Sequence, residues 1–172
     1  MNVQKWKVKS ILVSIILGTL LHFTYEWSGN NKIVGIFSAV NESTWEHLKL
    51  AFFPMLLMAI IGYFFVGKGT PNYIKGNVIG IIVAISFITA FFYTYTGIIG
   101  DNFFLIDIAT FIIAVILGEN CAYKIMQHDA QNQEAFYLGI ISILLIFFVV
   151  FTYYPPHINL FKDPITGTYG IQ

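Results

Sequence analysis

"SILVSIILGTLLHFTYEW", Ser10 to Trp27, carries no lysine and a single acid, Glu26, at its far end. It follows "MNVQKWKVK", where Lys5, Lys7 and Lys9 are crowded together. A basic start and an apolar stretch imitate a secretory signal, but no small-x-small cleavage site follows and the apolar run continues directly into "HFTYEW". The stretch therefore reads as a retained first membrane span.

Working outward, the rest of the chain repeats that signal. Of 172 residues, 57% are hydrophobic and 10% charged, with mean hydropathy +0.74. Soluble domains use roughly 25% charged residues. Spans of about 20 residues fit at 10–27, 44–66, 77–97, 103–123 and 135–154, separated by the turn-rich "SGNN", "GKGTPNYIKGN", "GIIGDN" and "MQHDAQNQE". The expected fold is all-α, a polytopic transmembrane bundle of five spans in one membrane domain covering residues 1–172. Zero net charge gives no case for nucleic acid, and the lone Cys121 can form no internal disulfide.

Orientation follows from lysine, because the chain has no arginine. With the N-terminus cytoplasmic, Lys5, Lys7, Lys9, Lys68, Lys75 and Lys124 fall inside, and Lys32, Lys49 and Lys162 outside. Five spans then put the C-terminus outside. "FTY" at 23–25, "YTY" at 93–95 and "FTY" at 151–153 fit an outer aromatic belt.

On this topology the outer side collects His22, Glu26, Glu42, Glu46, His47, Asp101, Asp107, His157 and Asp163. His22 and Glu26 stand four apart and share a helix face, as do Glu42 and Glu46, with His47 next in line. Imidazole and carboxylate converging from two helices are the donors of a divalent site such as zinc, and equally of a proton relay. The bland alternative is local: "STWE", Ser43 to Glu46, is a capping box, and acids in a first turn suit the helix dipole. It accounts for Ser43 and Glu46, but not for His47 or for His22 with Glu26. Ionisable groups inside a span are costly and are functional suspects. Asp107 and Glu119, near opposite ends of the fourth span, would suit an ion pathway or simply two helix ends.

The tail, "YYPPHINLFKDPITGTYGIQ", mixes prolines and turn signals with Ile158, Leu160, Phe161 and Ile165. It is expected to be an ordered outer segment, 155–172, folding back on the bundle and bringing His157 and Asp163 toward the other polar groups. The loop 28–39 is apolar enough to be interfacial or re-entrant.

"HFTYEWSGNN", "FSAVNESTWEHLKLAFFP" and "DPITGTYGI" resemble a family of small bacterial multispan integral-membrane proteins classed as a domain of unknown function. The resemblance implies a multispan helical fold in a bacterial plasma membrane and supplies no activity. No P-loop, G-x-S-x-G, H-E-x-x-H or C-x-x-C pattern is present.

Two functions from different classes follow. One is a metal-dependent hydrolase or transferase at the outer leaflet, with His22, Glu26, His47, His157 and Asp163 as metal ligands, zinc as the model ion, and Glu42 or Glu46 as catalytic base. The other is a small transporter or substrate-binding membrane subunit using Glu26, Asp107 and Glu119 for an ion or proton. A third reading is an accessory protein without its own chemistry. Besides the lipid bilayer, the partner left open is a membrane protein or a second copy.

Overall fold

Asn2 opens the first helix by accepting the Lys5 N–H at 2.9 Å, so the lysine-bearing stretch and the apolar one form a single element. The computed structural model describes residues 2–131 and 133–171. Five long helices account for most of them: α1 Val3–Trp27, α2 Thr44–Phe65, α3 Tyr73–Ile99, α4 Phe104–Ile125 and α5 Glu134–Tyr153. Each is long and apolar enough to cross a membrane, and no strand occurs among the described residues. Hydropathy marks the apolar centres and misses the polar turns: α1 starts at Val3 rather than Ser10, and α3 runs from Tyr73 rather than Asn77.

Between apolar helices in lipid the hydrophobic effect supplies little association, so close packing and hydrogen bonds take over. α3 and α4 meet through small residues. A Cβ added to Gly80 would lie 2.5 Å from the Gly118 carbonyl oxygen, and one on Gly118 equally close to that of Gly80. One turn along, Gly76 approaches the Ala122 carbonyl in the same way.

The contact of α1 with α2 has a different cause. Pro54, inside α2, has no N–H to give to the Leu50 carbonyl four residues back. That carbonyl is the backbone atom against which Gly18 of α1 packs, with no room for a Cβ. Gly18 also faces Phe111 of α4, so three helices are in register at this level.

We call the end where α1 finishes and α2 begins the tail end, because the C-terminal segment lies there. Phe161 is buried against Trp45 of α2, whose ring also stacks on Phe148 of α5 at 4.6 Å. At the opposite end Lys7 and Glu119 form a buried ion pair of 2.6 Å, shared with Asn77 and Ser10. Asn72, in the left-handed region at φ 52°, closes the same end. Its amide donates to the His128 and Asp129 carbonyls and accepts from the Gln131 N–H. Asn72→Gly keeps the backbone geometry and removes these bonds; it is expected to lower stability by about 1–3 kcal/mol, read as a shift of thermal unfolding in detergent.

Candidate metal centre

The loop before α2 is built from side-chain hydrogen bonds. Ser43 is extended, at ψ 150°, and its hydroxyl accepts the Glu46 N–H. Asn41 Oδ1 accepts the Ser43 N–H at 2.9 Å, a place the capping box would give to Glu46. Glu46 instead turns inward. Its Oε2 lies 2.5 Å from Lys49 Nζ and accepts the Val40 N–H, while Lys49 also donates to the Gly35 carbonyl. The pair is fully buried and pins the loop 28–43 to α2.

On α1, Ser38 reaches into the helix. Its hydroxyl accepts the Tyr25 N–H at 2.9 Å and donates to the Leu21 carbonyl, the two groups that an uninterrupted α-helix would join directly. This anchor brackets His22. At 3.6 residues per turn His22 lies about 40° from the direction of Gly18, and Glu26 about 80°. His22 therefore still faces α2, whereas Glu26 is exposed.

Three donor atoms converge. His47 Nε2 is 3.3 Å from His22 Nε2 and 3.4 Å from Glu42 Oε2, and His22 Nε2 is 3.9 Å from the same oxygen. A point equidistant from all three lies about 2.1 Å from each, the length of a Zn–N or Zn–O bond. His47 Nδ1 sits 2.9 Å from the Ser43 carbonyl, which only a protonated nitrogen can satisfy. In the neutral ring Nε2 then carries the lone pair a metal needs, a backbone carbonyl serving to fix the tautomer.

When His47 is instead protonated on both nitrogens, its hydrogen bond holds the Glu42 carboxyl below the usual carboxylate range; partial burial pushes the other way, and the charges of His47 and His22 add to the lowering. The His22 and His47 side chains are each 32% exposed and that of Glu42 43%. His22 lies roughly 8 Å below the end of α1 by helical rise.

A family model for DUF6512, a family of unknown function, matches residues 1–171. The chain belongs to that family. No curated protein and no solved structure matches it.

The other sequence candidates in this DUF6512 member are not among the three converging ligands, although Asp107 is near enough to His47, and Glu26 to His22, to act on them electrostatically. His157 packs against Tyr169, the two rings tilted with centroids 4.5 Å apart. Asp163 is buried and accepts from the Ile165 and Thr166 N–H groups, closing a turn of the tail. Asp107 accepts from the Tyr95 hydroxyl and from Asn102 Nδ2 at 3.0 Å. Glu119 is held by Lys7 and Ser10 at the far end of the bundle. Ser38 and Lys49, which position the two histidine-bearing turns, were not singled out by sequence reasoning. The available signal for Ser38 is one small hydroxyl in the otherwise apolar "IVGIFSAV", Ile33 to Val40.

Proposed function

We propose that this is a multi-pass membrane protein whose His22, His47 and Glu42 bind one divalent metal, zinc by fit, for a hydrolase or transferase reaction at the outer leaflet. The observation that carries it is the triangle of two imidazole nitrogens and a carboxylate oxygen, sized to a metal's bond length. Two histidines and a glutamate with an open fourth position are the ligand pattern of catalytic rather than closed structural zinc. A metal held there would acidify a bound water and polarise a carbonyl or phosphoryl oxygen.

Positive-inside bias supports an outer position for this end. Lys7 and Lys49 are neutralised in buried ion pairs. The remaining lysines, Lys5, Lys9, Lys68, Lys75 and Lys124 against Lys32 and Lys162, keep the same sign of bias. Glu46 is committed to Lys49, so the exposed Glu26, one turn beyond His22, is the better placed acid for proton transfer. The transport reading draws less support, since Asp107 and Glu119 are each occupied by other side chains.

Purified without chelator, the protein should carry about one zinc per chain, and His22→Ala or His47→Ala should weaken binding by roughly 100-fold. Elemental analysis and competition with a chromophoric chelator measure both. Wild-type protein that takes up neither zinc, cobalt nor manganese at saturable stoichiometry sinks the proposal. Turnover of ester and phosphoester amphiphiles by the zinc-loaded protein, lost on Glu26→Gln while zinc stays bound, separates catalysis from mere binding.

A further inference from the structure

Glu42 is the one member of the triad that stands on no helix, and nearly half of its side chain is exposed. A carboxylate on a free loop would forfeit rotamer and backbone entropy each time it bound an ion. What holds its backbone is the side chain of the residue before it. Asn41 Oδ1 accepts the Ser43 N–H at 2.9 Å, an Asx turn with Glu42 as its middle residue. The other end of the same amide, Nδ2, donates to the Gly170 carbonyl at 3.0 Å. One planar group thus joins the ligand loop to a tail residue 129 positions away.

The tail is itself tied down on both sides of that carbonyl. Ile171 N–H donates to the Thr152 carbonyl of α5 at 3.0 Å, and Gly170 adopts φ +63° with a Cβ position 2.8 Å from that same oxygen. Pro155 closes over it at 2.9 Å. The side chain of Ile171 reaches Gly35, beside the carbonyl that receives Lys49. Farther back, Phe161 lies against Trp45, two residues before His47.

We infer that Asn41 is a positioning residue of the metal site, through which the C-terminal tail sets the place of Glu42, so that seating or releasing the tail tunes metal affinity. The inference rests on the metal reading above. With the tail seated, the Asx turn is held at its outer edge and the Glu42 carboxylate is delivered to the two imidazoles. With the tail released, the amide keeps only its local bond and the site falls back on two histidines. Outer partners of metal ligands commonly account for 10–100-fold in affinity.

The test is zinc titration of the full chain in detergent. Asn41→Ala removes both bonds, whereas Gly170→Val leaves the Asx turn intact and displaces the tail through its forbidden φ and its contact with Thr152. Each should raise the zinc Kd about tenfold, with the double variant no worse than the weaker single one. Each should change nothing when Glu42 is already glutamine, because the positioned ligand is gone. If Gly170→Val does not fold, Gly170→Ala, which meets the same φ of +63° and the same Thr152 oxygen with a smaller side chain, takes its place. Wild-type affinity in both variants overturns the inference, and so does a loss that persists undiminished beside Glu42→Gln, which would mark general structural damage. A wild-type protein that binds no zinc overturns the metal reading and this one together, and is recognised before any variant is made.

Discussion

Lys7→Met is expected to cost about 3–5 kcal/mol of stability, the range for breaking one side of a buried ion pair. Lys7 lies in the second turn of α1 and is 4% exposed. Its ammonium is 2.6 Å from Glu119 Oε2 and 2.6 Å from Asn77 Oδ1, while Ser10 donates to Glu119 Oε1 at 2.5 Å. Asn77 passes its own amide hydrogen to the Tyr73 carbonyl, so the charged pair sits within a satisfied network linking α1, α3 and α4. Removal of the ammonium leaves a carboxylate 2% exposed with a hydroxyl as its remaining donor. Glu119→Leu should be comparably damaging, for the mirrored reason. Lys7→Met with Glu119→Leu should recover most of the loss, because a pair replaced by apolar volume leaves no uncompensated charge. Thermal unfolding of the three variants in detergent measures the cycle. Single changes costing under about 0.5 kcal/mol, the scale of exposed pairs, would show that water reaches the site.

That pair also shows what one sequence reveals and what it hides. Five apolar runs with polar breaks are legible because lipid imposes length and composition on every span. Lys7 enters the orientation bias alongside Lys5 and Lys9, and nothing local distinguishes it. Its partner is 112 residues away, and a contact at that separation leaves no period to read. The candidate site was legible to the same degree. His22 and His47 stood out as histidines without a local excuse, and they do meet, at 3.3 Å.

The acid is less legible in the sequence than the histidines. Spacing of four pairs Glu26 with His22 only if the helix presents both to a neighbour, and the rotation of α1 is set by Gly18 against Leu50 and Phe111. Spacing of four pairs Glu42 with Glu46 only if both are helical, and the extended Ser43 turns the two apart. Glu42 goes to the histidines and Glu46 to Lys49. Helical periodicity gives the face a residue could share; caps and close contacts decide the face it takes.

The second large effect is expected at Gly118. Its Cα hydrogens face the Gly80 carbonyl, and Gly80 faces its carbonyl in return, each with a notional Cβ at 2.5 Å from oxygen. Any side chain there must push two backbones apart, since no flexible side-chain end can yield. Gly118→Ala should cost about 1–3 kcal/mol despite alanine's advantage in helix propensity, and Gly118→Leu should cost more. Gly139 in α5 is the internal control, with open space where its Cβ would be. Gly139→Ala should be neutral or stabilising by up to about 1 kcal/mol on propensity alone. Unfolding of the three variants in detergent separates packing from propensity: equal behaviour of Gly118→Ala and Gly139→Ala would refute a close α3–α4 contact. The consequence should reach the metal centre only weakly. Gly118 sits near the far end of α4, and the triad draws its ligands from α1, α2 and their connecting loop. Zinc affinity retained in a destabilised Gly118→Ala protein would place the ligand geometry in the α1–α2 unit rather than in the bundle as a whole.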